Sequence, residues 1–143
     1  MTISVTTHPE SHAIACYRVP DAARLGTLPR HFGRSMMLVE TRIYELMREF
    51  CADYDGGLWA FHELSNGGFY MSPPLEFARL RVHSNGYEGK VSADAAGIIV
   101  CLFAYSLLSF QWPREGALAE HFYRLRDYAL SHREASEIFS AID

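Results

Sequence analysis

The sequence has little excess charge of either sign. Thirteen Lys and Arg residues stand against seventeen Asp and Glu residues, which leaves a formal net charge of −4. A mimic of duplex DNA would need roughly twenty ordered carboxylates on one face to imitate a single turn. A nucleic-acid-binding domain usually carries a clear positive excess. The charge balance therefore excludes a polyanionic DNA mimic and does not indicate a strongly basic DNA-binding surface.

Cysteine is also scarce. The three cysteines are Cys16, Cys51 and Cys101, and no two of them have Cys-x-x-Cys spacing. This pattern predicts neither a disulfide framework nor a zinc cluster. Residues 1–10 contain no Lys or Arg and no apolar segment typical of a secretion signal. We therefore expect a cytoplasmic protein.

Motifs of known catalytic and cofactor sites are missing. Ser65 is not part of a Gly-x-Ser-x-Gly elbow, and no phosphate-binding glycine motif occurs. Among seven histidines, only His8 and His12 have the spacing of a helical ligand pair. We expect a protein that is not an enzyme and that holds no cofactor and no metal. An enzyme using His62 or Asp94 as a base is the least favoured alternative.

At 143 residues, with 49% hydrophobic residues, the chain has the size and composition of one folded domain. Residues 1–33 are weakly periodic and predict short helical turns and loop, with residues 1–27 as a weakly structured or short helical segment. Thr7-His8-Pro9-Glu10 has the form of a capping box, which predicts a short helix through Cys16. From Met36 to Tyr54 apolar residues recur every three or four positions, which predicts an amphipathic helix ended by Asp55-Gly56-Gly57.

The middle of the chain has the pattern of strands. Four segments are rich in aromatic and β-branched residues or alternate in polarity: residues 58–64, 69–71, 77–83 and 87–91. The turns Ser65-Asn66-Gly67-Gly68 and Ser84-Asn85-Gly86 join them in pairs. The pattern predicts one small antiparallel meander of three or four strands. Ala78, Leu80 and Val82 should face its core.

The last third predicts three helices. Ser92 is a suitable N-cap with Asp94 in the first turn, and residues 95–110 are uncharged. Sixteen residues fall short of the ~20 that cross a bilayer, so this segment predicts a buried central helix containing Cys101. A helix after Pro113 should bury Leu118, Phe122, Leu125 and Ala129, with Glu120 and Arg124 as a surface pair. Ser131 to Glu134 resembles a capping box for a final helix that buries Ile138 and Ile142. The predicted class is α+β, with about four helices around a small sheet.

One face of the predicted sheet carries positive charge. Arg79, Arg81 and Lys90, with Tyr87 near them to stack on a base, would suit a weak nonspecific DNA-binding module. A solvated sheet face balanced by Glu88 explains the same residues more simply.

Several strings occur in an ordered series: Leu28-Pro29-Arg30-His31-Phe32-Gly33, Tyr54-Asp55-Gly56-Gly57-Leu58-Trp59, residues 64–71, residues 85–89 and residues 92–98. This series resembles the plasmid antirestriction protein family, the ArdB/KlcA group. The resemblance implies a non-enzymatic protein of mobile DNA that relieves type I restriction of incoming unmodified DNA. It also implies the host type I restriction-modification complex as partner, affected directly or indirectly, with no membrane and no small-molecule substrate. Because the charge balance excludes mimicry, the mechanism must be a different one.

The partner-binding surface is expected on the two glycine-bearing turns and the first turn of the central helix, because loops on a rigid scaffold usually carry function. The candidate residues are Asn66, Gly67, Gly68, Tyr70, Asn85, Gly86, Tyr87, Glu88 and Asp94, with Asp143 at the chain end as a weaker candidate. The alternative, that these residues simply fold the hairpins, stays open.

Overall fold

The computed structural model describes residues 13–143, and within them lie five α-helices and five strands. The helices are α1 (Arg24–Phe32), α2 (Met36–Phe50), α3 (Ala93–Gln111), α4 (Gly116–Ala129) and α5 (Ala135–Ile142). The strands are β1 (Cys16–Arg18), β2 (Ala60–Leu64), β3 (Phe69–Ser72), β4 (Phe77–Val82) and β5 (Tyr87–Ser92). Single 3-10 turns precede α1 and α2. The predicted α+β class is confirmed.

The strands form two antiparallel sheets, ordered β1-β2-β3 and β4-β5, where the sequence predicts a single meander. Pro73 and Pro74 follow β3 directly, and proline has no N–H with which to continue a ladder. The two hairpins themselves were predicted, and Leu80 and Val82 are buried as expected.

The N-terminal segment departs from its prediction. Cys16–Arg18 is a strand paired with the edge of β2, so the predicted helix through Cys16 is wrong. Thr7-His8-Pro9-Glu10, the proposed capping box, lies outside the described residues, as do His8 and His12. The three residues of β1 are exposed. A strand of this kind has no periodicity of its own, since it forms only because β2 offers a free edge.

Helix α3 is the centre of the core. It is buried from Ala95 to Leu102, contacts β3, α2, α4 and α5, and holds Cys101 fully buried, as predicted. Burial raises the pKa of the Cys101 thiol to about 12. By length and composition this 19-residue helix could cross a membrane, but 61% of its most apolar window is buried inside the protein.

Close packing between α3 and β3 depends on Gly97. A Cβ atom at this position would lie 2.2 Å from the carbonyl oxygen of Met71. Any side chain would therefore separate the central helix from the sheet.

Two predicted helix boundaries shift. Helix α2 ends at Phe50 rather than Tyr54, because the chain extends at Cys51 and the Tyr54 side chain returns to the core. There its hydroxyl accepts a hydrogen bond from Trp59 Nε1 at 2.9 Å. The Ser131–Glu134 capping box does not form. Glu134 instead reaches across to Ser92, a contact that no local pattern indicates.

Segments around the helical core follow their predictions in most respects. Leu118, Leu125, Ala129 and Ile138 are buried, whereas Phe122 and Ile142 are only partly buried. Glu120 and Arg124 form the predicted surface pair at 3.9 Å. Residues 24–32, predicted as loop and short turns, form helix α1 with Pro29 inside it.

Candidate functional site at the start of the central helix

The first turn of α3 lies where both sheets and the C-terminal segment meet. Ser92 is the N-cap, as predicted, and its Oγ accepts a hydrogen bond from the Ala95 N–H at 3.1 Å. The Ser92 N–H and hydroxyl both donate to the carboxylate of Glu134, the first of them at 2.9 Å. Glu134 thus ties the chain preceding α5 to the junction of β5 and α3.

Asp94 is the centre of a polar cluster, here called the Asp94 cluster: Asp94, Tyr70, His62 and His132. The Tyr70 hydroxyl donates to Asp94 Oδ1 at 2.6 Å, and His132 Nε2 lies 2.8 Å from Oδ2. His132 Nδ1 accepts the Glu134 N–H at 2.9 Å, so the proton resides on Nε2 and is donated to Asp94. Burial of Asp94 opposes its charge, but the hydrogen bonds from His132 and Tyr70 outweigh it and lower the pKa of the carboxyl.

Tyr70 is buried, with 1% of its surface exposed. Its ring stacks on His62 with centroids 4.5 Å apart. Burial, together with the Asp94 carboxylate, raises the pKa of Tyr70 far above its usual value. Burial lowers the pKa of His62, whose Nε2 lies 2.9 Å from Ser72 Oγ. The Asp94 cluster therefore holds a neutral tyrosine against a charged aspartate.

The rim of the Asp94 cluster is partly open. The Asp94 side chain is 38% exposed. The exposed Cys16 places its Sγ 3.6 Å from the Tyr70 hydroxyl. Tyr128 stacks beside Tyr70, with ring centroids 6.0 Å apart, and burial and Cys16 raise the pKa of Tyr128 to about 12.

Chemically, the Asp94 cluster is suited to holding elements together. Both Asp94 oxygens accept hydrogen bonds, and His132 Nδ1 is occupied by a backbone donor. In this arrangement neither Asp94 nor His132 is a free base. The cluster joins β3, α3 and the segment before α5 through charge-assisted hydrogen bonds, which are stronger than neutral ones. It contacts β2 through the stacking of His62 on Tyr70.

The asparagine side chains of the two predicted turns, Asn66 and Asn85, make the same pair of hydrogen bonds. Asn66 Nδ2 donates to the Arg124 carbonyl in α4 at 2.9 Å, and its Oδ1 accepts the Gly68 N–H. Asn85 Nδ2 donates to the Ala141 carbonyl in α5 at 2.7 Å, and its Oδ1 accepts the Tyr87 N–H. Each asparagine thus closes its own turn and fastens a hairpin onto a helix.

The glycines after these asparagines take positive φ values, 89° at Gly67 and 77° at Gly86. The hydrogen bonds and the backbone angles together support the alternative hypothesis, in which the turn residues stabilise the hairpins.

The remaining predicted partner residues are Tyr87 and Glu88 in β5 and Asp143 at the chain end. The Tyr87 hydroxyl donates to Glu137 of α5 at 2.6 Å. Exposed Glu88 pairs with Arg81 at 3.4 Å, and Asp143 is exposed at the chain end. The structure therefore brings Tyr70 and Asp94 into contact, while the two turns dock on different helices.

The predicted basic face of the β4–β5 hairpin does not include Tyr87, the residue expected to stack on a base. On the exposed side of the hairpin, Arg79 of β4 lies opposite Lys90 of β5 in the strand register. Arg81 lies opposite Glu88 in the same way. Tyr87 pairs with the buried Val82 and so points to the opposite side, because strand side chains alternate. The expectation that Tyr87 lies near these cations and can stack on a base beside them is wrong.

Sequence reasoning missed several residues of this site. His132 and Glu134 contact residues about forty positions away, and Cys16 contacts Tyr70 from 54 positions away. The resemblance of Ser131–Glu134 to a capping box predicted only a local role for Glu134, at the start of the last helix. No sequence signal at this range could have identified the long-range one.

The fold and the Asp94 cluster define a class: a small α+β protein whose C-terminal segment is fastened to the start of a buried central helix. Residues 52–143 match the model of the antirestriction protein family. The chain belongs to this family.

Relatives support the assignment over most of the chain. Antirestriction protein KlcA of Escherichia coli is 42% identical over 137 residues, covering 91% of this chain and 94% of KlcA. The uncharacterized protein YafX of Escherichia coli K12 is 44% identical over 130 residues, covering 87% of this chain and 85% of YafX.

A solved structure has the same fold. It matches with a TM-score of 0.83 at 41% identity, covering 91% of this chain and 95% of the other. It comes from work on KlcA and ArdB, which describes a novel fold and antirestriction activity against type I DNA restriction systems in vivo but not in vitro.

Proposed function

We propose that this protein relieves restriction of incoming unmodified DNA by host type I restriction-modification systems, acting in the cytoplasm and encoded on a mobile element such as a plasmid. The observation that carries the proposal is the shared fold, at a TM-score of 0.83 and 41% identity, with a structure from work describing that activity for KlcA and ArdB. Fold alone does not define function, but sequence identity at this level over nine-tenths of the chain makes conserved activity the expectation.

The proposed mechanism is neither DNA mimicry nor catalysis. Six carboxylates pair with basic side chains, and they belong to Glu45, Glu63, Glu88, Asp94, Glu115 and Glu120. A mimic needs a continuous row of unpaired carboxylates. Interspersed pairs of opposite sign instead suit a contact of mixed polarity with a protein.

The test is a restriction assay in cells, because the activity of KlcA and ArdB is described in vivo but not in vitro. Unmodified phage are plated on cells that carry a type I system, with and without this protein. A large rise in plating efficiency is expected, while phage already carrying the host modification should plate equally well in both strains. Absence of a rise across several type I systems would refute the proposal.

A weak DNA-binding module is the second candidate, and one observation favours it. Arg79 and Lys90 lie directly opposite each other on the exposed face of the β4–β5 hairpin. Like charges in this position repel, and a phosphate would relieve the repulsion. If this face binds DNA, affinity should fall steeply between low and physiological salt. Salt-independent or absent binding removes this candidate and leaves the antirestriction proposal intact.

A further inference from the structure

Away from the Asp94 cluster, an apolar groove runs between the start of α2 and the end of α3. It consists of two adjoining cavities of about 480 and 450 Å³ that share Leu38, Gln111 and Trp112. Leu38 is 44% exposed and Trp112 49% exposed, and Met37 beside them is 64% exposed. Large apolar side chains concentrated on one surface of a folded protein are typical of an interaction site.

The shape of the groove suits a helix. Its α2 side is lined by Leu38, Thr41, Arg42 and Glu45, which recur on one face at intervals of three or four residues. From Arg34, in the 3-10 turn that precedes α2, to Glu45 the lining spans eleven positions, or roughly 17 Å at about 2.0 Å per residue in the turn and 1.5 Å in the helix. A bound helix of about three turns would present anchors at i, i+3 or i+4, and i+7 to such a groove.

The charges at the edge of the groove indicate the character of that helix. Arg34, Arg42 and Arg114 border it, against two glutamates, Glu45 and Glu115. Both glutamates are already paired, with Arg42 at 3.3 Å and with Arg34 at 3.2 Å. Within the described residues, exposed Arg114 has no carboxylate partner, and the buried Nε of Arg42 has no hydrogen-bond partner. The groove is therefore a locally positive region on a chain whose net charge is −4.

We infer that this groove binds an amphipathic helix, flanked by acidic residues, from a protein of the type I restriction system. The inference rests on the proposed function and names the surface through which it acts. Apolar anchors of the helix contact Leu38 and Trp112, and an acidic residue beside them pairs with the exposed Arg114.

Variants test the groove in the phage-plating assay. Leu38→Glu and Trp112→Ala should each reduce the relief of restriction by about 10-fold or more, since aromatic and apolar anchors dominate binding. Arg114→Glu, at an exposed position, should also reduce relief. The matched control is Leu25→Glu on α1, because Leu25 is 95% exposed and lies outside the groove. It should retain full relief. Thermal unfolding of each purified variant checks that the fold is intact.

Photocrosslinking in the same cells identifies the occupant. A benzophenone side chain at Met37 should crosslink to a subunit of the restriction enzyme, at a peptide with acidic residues beside an apolar helical face. The same group at position 25 should not. Crosslinking to a second copy of this chain, or to DNA, would overturn the inference.

The two proposals fail in different ways. If the unsubstituted chain relieves restriction and the folded groove variants do so equally well, the groove inference is wrong and the proposed function stands. If the unsubstituted chain gives no relief, both are wrong.

Discussion

At the scale of single residues, His121 in α4 is a titratable side chain buried in the core. It is 2% exposed, and its Nδ1 has no hydrogen-bond partner among the described residues. The centroid of its ring lies 4.6 Å from that of the Phe32 ring and 5.0 Å from that of the His31 ring. Burial, with a smaller contribution from His31, lowers the pKa of His121 to about 4.

This shift predicts acid sensitivity. The unfolded chain binds a proton at His121 below pH 6.5, whereas the folded protein binds it only near pH 4. Stability should therefore be complete above pH 6.5 and fall by up to about 3 kcal/mol as the pH drops toward 4. Urea unfolding at pH 7.5 and pH 5 measures the fall, which His121→Phe should reduce. His83→Gln, at an exposed position, should leave it unchanged.

Tyr70 distinguishes support of the fold from direct contact with a partner. Tyr70→Phe keeps the ring in the core but removes the donor to Asp94 Oδ1. We expect a loss of about 1–3 kcal/mol in the free energy of unfolding, typical of a hydrogen bond to a charged group. Antirestriction should persist at temperatures where the variant is folded. Lost activity in a fully folded variant would show instead that the hydroxyl acts on the partner.

At the scale of elements, the contact between α3 and β3 depends on one glycine. Gly97→Ala improves helix propensity by about 1 kcal/mol, but the new methyl group meets the Met71 carbonyl. We expect net destabilisation of about 1–3 kcal/mol, the usual result of overpacking. Gly116→Ala in α4, where nothing lies within 4 Å of the added Cβ, is the control. Equal melting temperatures for the two variants would contradict the packing argument.

The contacts that hold the two hairpins to their helices should contribute independently to the free energy of unfolding. Asn66→Ala removes the link to α4, and Asn85→Ala removes the link to α5. Each variant loses two hydrogen bonds, so each should cost about 1–2 kcal/mol. Because the asparagines dock on different helices, the double variant should show the sum of the two losses in urea unfolding. A strongly non-additive result would mean that the hairpins unfold together.

At the scale of the whole molecule, activity should be insensitive to small reductions in net negative charge. Glu49→Gln and Glu76→Gln remove two exposed carboxylates and change the net charge from −4 to −2. A contact of mixed polarity away from these positions is unaffected, whereas a DNA mimic depends on its total array of charges. Phage plating should give the same relief of restriction for the double variant and the unsubstituted chain. A marked loss would return mimicry to consideration.

Local patterns determined much of this protein. The uncharged run from Ala95 produced the buried helix α3, the stripe from Met36 produced α2, and alternation produced β4. The asparagine-glycine turns closed the hairpins where they were predicted. Each of these features follows from residues within one or two turns of each other, and the ordered strings already indicated the family.

Tertiary structure alone decided the rest. The strand at Cys16, the separation into two sheets, the link from Glu134 to Ser92 and the groove at Trp112 all depend on partners distant in sequence. Tyr87 shows the physical reason most directly. Alternation along β5 already places Tyr87 on the face opposite Glu88 and Lys90, but the contact of its hydroxyl with Glu137 depends on where α5 packs, and that is set by the core as a whole.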